Sequence, residues 1–385
     1  MVKNERVLVL GRGGSGTAAE KLARSLGYET LSVAGESVLP PGDFVFAVAS
    51  PGIPPSHEWF SQCAARSIPV TSELAFGCRE LKRRGWRLFA VTGSKGKSSV
   101  VKLVAEAIAL TGERAVACGN YGLPVSEVAL SHPQGAAVVE VSSFMMETTD
   151  LAEGFFEAAA IVNLQEDHLD RHGSVEAYHA LKLKLLTMAK KSFSPPFVRP
   201  GAELVPPGSY FSNDVLLCNA AAAIGLMREA LVGDKLIAQA FARFEPLAHR
   251  MQKVCVIGDV TYIDDSKATS LDAMIAAVEM SRAPVRLIAG GLPKGDDPAK
   301  ALPALTKRVK KVYIIGRSAE VFSAAWSQAL DCEISVTMEA AVEAVKRDAV
   351  AGETVLLSPG AASYDQFENF ERRGEVFASL VKKEG

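Results

Sequence analysis

No CxxC pair occurs among the six cysteines, Cys63, Cys78, Cys118, Cys218, Cys255 and Cys332. Scattered in this way they supply neither a disulfide framework nor a zinc knuckle, and they suit a reducing compartment such as the cytoplasm. No run of about 18 apolar residues is present, so no membrane-spanning helix is expected. The opening "MVKNERVLVLG" runs straight into a strand pattern with no apolar signal segment, and export is not expected either. An excess of one charge is missing too: 42 Lys and Arg face 44 Asp and Glu. That balance removes any global attraction to nucleic acid or an anionic membrane, and a small anionic ligand would need a local site. What is present is a globular balance of 48% hydrophobic and 22% charged residues. At about 100 to 200 residues per domain, 385 residues make two or three domains, and three are expected.

Along the chain, "RVLVLGRGGSGTAAEKLARSLG" reads as a buried strand, a glycine turn and a helix, the opening of a doubly wound sheet. Further apolar bursts lead to a basic patch at residues 79–87, taken as the first boundary. A second block begins with "RLFAVTG" as a strand and "SSVVKLVAEAIALTG" as a helix, and continues with strands at "AAVVEVSS" and "AAAIVNL". The stretch 192–211 carries five prolines and reads as loop, followed by a helix from about 214 to 231. After "EPLAHRMQKV" come a hairpin at "KVCVIGDVTYIDDS", a helix from Leu271, and strands at "VRLIAGG", "KVYIIG", "EISVT" and "TVLLSPG". Strands alternating with helices imply α/β architecture, with parallel pairing of those strands. The expected domains are 1–85, 86–246 and 247–385.

The segment "VTGSKGKSSV", residues 91–100, lies between a strand and a helix, where released backbone N–H groups cradle phosphate oxygens. Lys97 could reach the β and γ phosphates and Ser98 could bind magnesium. The usual pattern has a glycine where this chain has Val91, and the plain alternative is a solvated Lys-Gly-Lys turn. "GRGGSG", residues 11–16, fits G-x-G-x-x-G after a strand, but the acidic residue expected after the second strand is represented only by Glu36. Three readings stand side by side: a dinucleotide site, a site for another diphosphate such as a nucleotide sugar, or glycines that permit close helix packing.

Glu140 lies in the apolar pattern "VVEVSSF", where an unpaired carboxylate is costly to bury. A cation at the strand end would offset that cost, and Glu140 with Ser98 would make an oxygen site for magnesium. The alternative is a carboxylate at a sheet edge paired with a lysine. "NLQEDHLDRHGS" crowds ionisable side chains after a strand; on its own such a cluster is commonly a solvated loop. His168 is the ligand candidate there, with His172 expected to face solvent. "DDSKATS", "GGLPKGDD" and "LSPGAASYDQF" repeat the strand-to-loop chemistry around Asp265, Lys294 and Ser363.

Taken in order, "GSKGKSS", "GNYGLP", "EVSSF", "NLQEDHLDRH", "AHRMQ", "DDSKATS", "GGLPKG" and "LSPGAASYDQFENFERRG" resemble the Mur ligases, ATP-dependent amide ligases that build the peptide of bacterial cell-wall precursors. The resemblance covers nearly the whole chain. It implies Rossmann-like N- and C-terminal domains around a central P-loop ATPase-like domain with a mostly parallel sheet. The family's short loop explains Val91, with Ser94 and Lys95 standing where threonine and asparagine are usual. Residues Gly93, Ser94, Lys95, Gly96, Lys97, Ser98 and Ser99 would hold ATP, with Asn219, Arg250, Asp265 and Lys267. Two magnesium ions are implied, one on Ser98 and Glu140 and one on His168, with Lys182 aligned to a lysine carried as a carbamate. Asn120 and Ser142 would lie near the phosphates and the muramoyl substrate, and Gly14, Ser15 and Gly16 would meet the UDP-linked substrate. Thr269, Lys294, Ser363 and Phe370 match positions that receive D-glutamate, so the implied substrates are UDP-N-acetylmuramoyl-L-alanine and D-glutamate. A cytoplasmic monomer with no nucleic-acid or membrane partner is the corresponding expectation.

Two regions depart from that pattern. The N-terminal domain lacks the Asp-Thr-Arg-like run that usually meets uracil, and the central domain lacks a long stretch after Lys184, so a trimmed central sheet is expected. Competing functions are a folylpolyglutamate synthetase, which shares the loop but not the "DDSKATS" and "LSPGAAS" pair, and a nicotinamide-dependent dehydrogenase, which leaves Lys97 unexplained. A non-catalytic nucleotide-binding module would have no use for His168 or Lys182.

Overall fold

Short continuous apolar runs such as 7–10 bury both faces, and they do so only as strands sandwiched between helical layers. In the computed structural model, which describes residues 5–383 apart from 132, 197–200, 213 and 294, these runs become the strands of three sheets. The chain divides into two compact units, Met1–Phe244 and Glu245–Gly385. Among the described residues no helix is long and apolar enough to cross a membrane.

The first unit contains two sheets. Strands β1 (Arg6–Leu10), β2 (Glu29–Val33), β3 (Phe46–Ala49) and β4 (Val70–Ser72) pair in parallel in the order β2-β1-β3-β4. Strands β5 (Arg87–Thr92), β6 (Ala115–Gly119), β7 (Ala136–Glu140), β8 (Phe156–Ile161) and β9 (Ala189–Phe193) pair in parallel in the order β6-β7-β5-β8-β9. Leu22, Leu74 and Leu81, from helices Gly14–Ser25 and Glu73–Arg83, share one core with Trp86, Leu88 and Val139. That shared core makes the two sheets one unit. The basic patch lies in the last turn of helix Glu73–Arg83 and the turn that leads into β5. Its charges are matched, Arg83 and Arg84 on Glu80 and Lys82 on Glu157.

Helix Asp214–Glu229 begins where the sequence indicates, whereas helix Asp234–Arg243 was not expected. Between them Leu231 holds φ 64° and is 84% exposed. Its N–H donates to Arg228 O and the Val232 N–H to Met227 O, both at 2.9 Å. This is the left-handed helix terminus that glycine normally occupies. Leu231→Gly is therefore expected to raise stability by about 1 kcal/mol; an unchanged urea midpoint would refute the strain.

The second unit is one sheet, β10 (Gln252–Ile257), β11 (Val260–Asp264), β12 (Val285–Gly290), β13 (Val309–Ile315), β14 (Asp331–Val336) and β15 (Thr354–Leu357), in the order β10-β11-β15-β12-β13-β14. Only the hairpin β10–β11 is antiparallel. Separate apolar clusters cover its two faces, one around Leu287 and Trp326 and one around Tyr313 and Phe377.

Candidate active site

Val91 settles first. It is a fully buried residue of β5, in register with Glu140 on one side and Ala160 on the other. The loop therefore starts two residues later, at Gly93, and no glycine is called for at 91. β5 lies between β7 and β8 with the connections running off both sides, so its C-terminal end opens on the crevice where α/β sheets take ligands. Gly93 has φ 149°, and a Cβ there would come within 2.4 Å of Val162 Cγ2. Gly96, at φ 80°, caps helix Lys97–Ala109, and a Cβ there would meet Asn219 Nδ2 at 2.1 Å. The helix has no acidic residue in its first turn, which leaves its positive end open to an anion. Lys97 Nζ curls back to donate to Gly93 O at 2.8 Å and Ser94 O at 2.9 Å. Ser98 and Ser99 are buried at the helix start.

Residues after β8 hold the loop in shape. Asn163 brackets Lys95, with Oδ1 accepting from the Lys95 N–H at 2.9 Å and Nδ2 donating to the Lys95 carbonyl at 2.8 Å. The same Nδ2 lies 3.4 Å from Asn219 Oδ1. Ser94 Oγ accepts from the Gln165 N–H at 2.9 Å and from the Tyr178 hydroxyl at 3.2 Å. A backbone grip of this kind does not depend on the side chain at 95, so the fold tolerates lysine there.

Glu140 ends β7, an interior strand rather than a sheet edge, and its partner is Asn120 instead of a lysine. Asn120 Nδ2 donates to Glu140 Oε1 at 2.7 Å, and the Asn120 N–H donates to the Glu140 carbonyl at 2.9 Å. Oε2 is buried with no hydrogen-bond partner among the described residues. A buried carboxylate oxygen without a donor is what a hard cation satisfies. The oxygen donors here, Glu140 and the Ser98 hydroxyl, fit magnesium, which uses one or two carboxylates and completes its shell from phosphates and water.

Lys182, on helix Val175–Thr187, is buried and donates to Gly93 O at 2.8 Å. Burial, followed by the charge of Lys97, pulls its ammonium down to about 7, against the opposing pull of Asp167 and Glu140. Its Nζ lies 4.4 Å from the Tyr178 ring centroid, and that ring is 6.2 Å from the His168 ring. Tyr178 thus ties together the loop, Lys182 and His168. His168 adopts φ 54°, stacks 4.8 Å from Phe144 and remains 45% exposed in its side chain. His172 does not face solvent, contrary to expectation: its Nε2 meets Ser143 Oγ at 3.0 Å and its Nδ1 lies 3.4 Å from Glu147. Helix Leu169–His172 turns it inward, and burial lowers its basicity. Ser142 caps the short helix Ser143–Met146 through the Met145 N–H.

In the second unit, Asp265 is braced rather than open. Its carboxylate accepts from Ser358 Oγ at 2.9 Å and the Met251 N–H at 3.1 Å. Burial raises it to about 7. Next to it, Asp264 Oδ2 meets His249 Nδ1 at 2.6 Å, and the Lys267 N–H donates to the His249 carbonyl at 3.0 Å. These contacts fix the turn carrying Arg250 against the loop carrying Lys267. Lys267 Nζ lies 3.7 Å from the Phe370 ring centroid, and the Thr269 N–H donates to the Lys267 carbonyl. Ser363 is buried where Leu292 and Ala362 pair through two backbone hydrogen bonds. Lys294 lies outside the described residues. Arg373, fully buried, donates to Ser266 Oγ and the carbonyls of Ser266 and Ala361.

Gly11, Gly13 and Gly14 border a cavity of about 440 Å³, whose lining also includes Arg12, Ser15, Gly35, Ser50, Ile53 and His57. Gly16 packs so closely that a Cβ would come within 1.9 Å of Gly11 O, whereas Gly13 and Gly14 have open space before them. Close packing thus accounts for Gly16, while Gly13 and Gly14 border open space. Helix Gly14–Ser25 has no side-chain cap and no acid in its first turn. Ser50 Oγ is buried without a partner among the described residues.

Sequence reasoning passed over Asn163, Tyr178, His249, Asp264, Ser358 and Arg373. Five of these lie inside segments already singled out, "NLQEDHLDRH", "AHRMQ", "DDSKATS" and "LSPGAASYDQFENFERRG". Their roles depend on long-range partners that spacing does not reveal.

The family model described as the Mur ligase middle domain matches residues 91–194, and that described as the Mur ligase glutamate ligase domain matches 249–360. The chain is 30% identical over 453 aligned positions to UDP-N-acetylmuramoylalanine--D-glutamate ligase of Syntrophus aciditrophicus, covering 99% of this chain and 98% of the relative. It is 32% identical to the protein of the same name from Frankia casuarinae, covering 98% and 93%. The first alignment is longer than the 385-residue chain, so that relative carries segments absent here. Among solved structures, MurF ligase from Thermotoga maritima in complex with ADP shares the fold, with a TM-score of 0.62 at 14% identity, covering 99% of this chain and 96% of that one.

Proposed function

The chain belongs to the Mur ligase family, and on that premise we propose that it joins D-glutamate to UDP-N-acetylmuramoyl-L-alanine at the expense of ATP, a step in peptidoglycan precursor synthesis. The near-complete match to relatives of that name supports the substrates. The observation that carries the chemistry is the loop of residues 93–99, capped by a left-handed glycine and set beside the orphaned Oε2 of Glu140.

A carboxylate is a poor electrophile and needs activation before it forms an amide. The alanine carboxylate attacks the γ-phosphorus of ATP, the bond to ADP breaks, and an acyl phosphate forms. The amine of D-glutamate then adds to the acyl carbon, phosphate leaves, and the amine gives up a proton to solvent. Lys97 exchanges its two loop carbonyls for phosphate oxygens, and the N–H groups of residues 97–99 hold the same anions. Magnesium on Glu140 and Ser98, when bound, offsets charge between the reacting anions. His168 and Lys182 would hold a second ion. The Lys182 amine, once deprotonated, can add carbon dioxide through a new C–N bond with loss of a proton, which converts a cation into an oxygen ligand. Asn219 buttresses Gly96; within the second unit Asp265 braces the turn of Arg250, and Arg250 and Lys267 are its candidate nucleotide contacts. Thr269, Lys294, Ser363 and Phe370 receive the glutamate, and Asn120 and Ser142 face the muramoyl end. On this reading the chain works as a cytoplasmic monomer of three domains, 1–85, 86–246 and 247–385, the first two joined through one core.

The test is an assay with ATP, magnesium, UDP-N-acetylmuramoyl-L-alanine and a panel of amino acids, following phosphate release and product mass. Only D-glutamate is expected to give product. A product from another amino acid and none from D-glutamate would overturn the substrate assignment.

A further inference from the structure

We propose that His57 reads the base of the UDP-linked substrate, an inference that rests on the function proposed above. The N-terminal cavity has two kinds of wall. On one side are the first N–H groups of helix Gly14–Ser25, which have no partner within the helix and no side-chain cap, and the Ser50 hydroxyl, buried without a partner among the described residues. These suit a diphosphate. On the other side, beyond Pro51, Gly52 and Ile53, stand His57 and Trp59.

His57 is held in place through Trp59. It caps helix Glu58–Ala65, with Nδ1 accepting from the Trp59 N–H at 3.3 Å. Its ring lies on the Trp59 indole at a centroid separation of 4.3 Å. The indole is buried and in turn fixed by donating from Nε1 to the Glu36 carbonyl at 2.7 Å. A ring that accepts at Nδ1 carries its proton on Nε2. His57 therefore offers a pre-positioned Nε2 donor beside a cavity that has apolar surface from Ile53, Ala34 and Trp59. Such a donor suits a neutral carbonyl, and the main-chain N–H groups are the better partners for phosphate. With the diphosphate on residues 14–16, the nucleoside extends across the strand ends toward His57 with the base edge remote from the ribose leading. In uracil that edge carries the C4 carbonyl; in cytosine the same place holds an amino group, which cannot accept. His57 is thus a specificity-determining residue, and it supplies recognition in a domain that lacks the usual uracil-contacting run.

Two substitutions separate reading from capping. His57→Asn keeps a side chain able to cap the helix and removes the Nε2 donor. His57→Gln places an amide N–H near the Nε2 position and gives up the cap. Binding of UDP and CDP is measured calorimetrically on the full chain, with melting temperatures as the control for folding. We expect His57→Asn to weaken UDP about tenfold and to leave CDP nearly unchanged, with the loss in turnover falling on KM for the UDP-linked substrate. His57→Gln is expected to regain most of the preference for UDP despite a lower melting temperature. Wild-type affinity for UDP in His57→Asn would overturn the proposal and leave His57 as a helix cap. Equal losses for UDP and CDP would overturn it as well, since they would place the contact on the phosphates. If the wild-type chain itself bound no UDP, the substrate reading would fall first, and the proposal with it.

Discussion

Lys97→Ala is expected to lower turnover by roughly a thousandfold or more while leaving UDP binding and the melting temperature close to wild type. The ammonium now rests on two loop carbonyls, Gly93 O and Ser94 O, acceptors that an incoming phosphate oxygen can replace. When the γ-phosphoryl group moves, negative charge spreads over its oxygens, and Lys97 is the cation that leads the helix at that point. The remaining N–H groups of the helix start bind phosphate in ground and transition state alike, so they cannot replace a mobile charge. The folded loop does not depend on Lys97: Asn163 grips residue 95 through the backbone, and Ser94 is held by Gln165 and Tyr178. Loss of activity with an intact fold is accordingly the expected pattern. A variant that turned over at the wild-type rate would remove ATP from this loop altogether. Lys97→Arg should not rescue, because the planar fork cannot follow the point-charge geometry that a lysine supplies.

Much of this site was legible because its parts are local. A strand, a glycine-rich turn and a helix follow one another within a few residues at 87–109, and the pattern names both the element and the ligand class. Glu140 stood out for the opposite reason, as a charge placed where an apolar strand has no use for one, and its Oε2 has no hydrogen-bond partner among the described residues. Less legible were positions whose meaning depends on a distant contact. Asn163 acts on Lys95 across 68 residues, and Ser358 on Asp265 across 93. Asp265 illustrates the limit: its type and place suggest a ligand contact, yet both of its oxygens brace backbone and hydroxyl groups. His172 was misjudged because the helical turn that brings it under Phe144 is only four residues long and has no periodicity to read. β9 escaped notice for a related reason. As an edge strand of the second sheet it carries Lys190 and Lys191 instead of an apolar run.

Lys182→Met is expected to combine two effects of opposite sign, a loss of turnover of about a hundredfold or more and a gain in stability. The ammonium sits in a buried position with Lys97 nearby, and these two influences hold its proton affinity down to about 7 against an ordinary 10.5. Methionine fills a similar volume without a charge to desolvate. The sign of the pH dependence follows from linkage. Below pH 7 the lysine is protonated in both folded and unfolded chains, and the folded protein carries the whole burden of a buried charge. Between about 7 and 10.5 the folded lysine is deprotonated while the unfolded one still holds its proton, so wild-type stability rises with pH through that window. Methionine has no such dependence. The melting-temperature advantage of Lys182→Met should therefore be largest near pH 6 and shrink steadily toward pH 10, measured in buffer stripped of carbon dioxide so that the amine stays unmodified. An advantage that did not change with pH would show that Lys182 is not an ammonium under strain. Retained turnover in the same variant would remove Lys182 from the metal-binding edge of the site, and the residue would then be a prop for the Gly93 carbonyl alone.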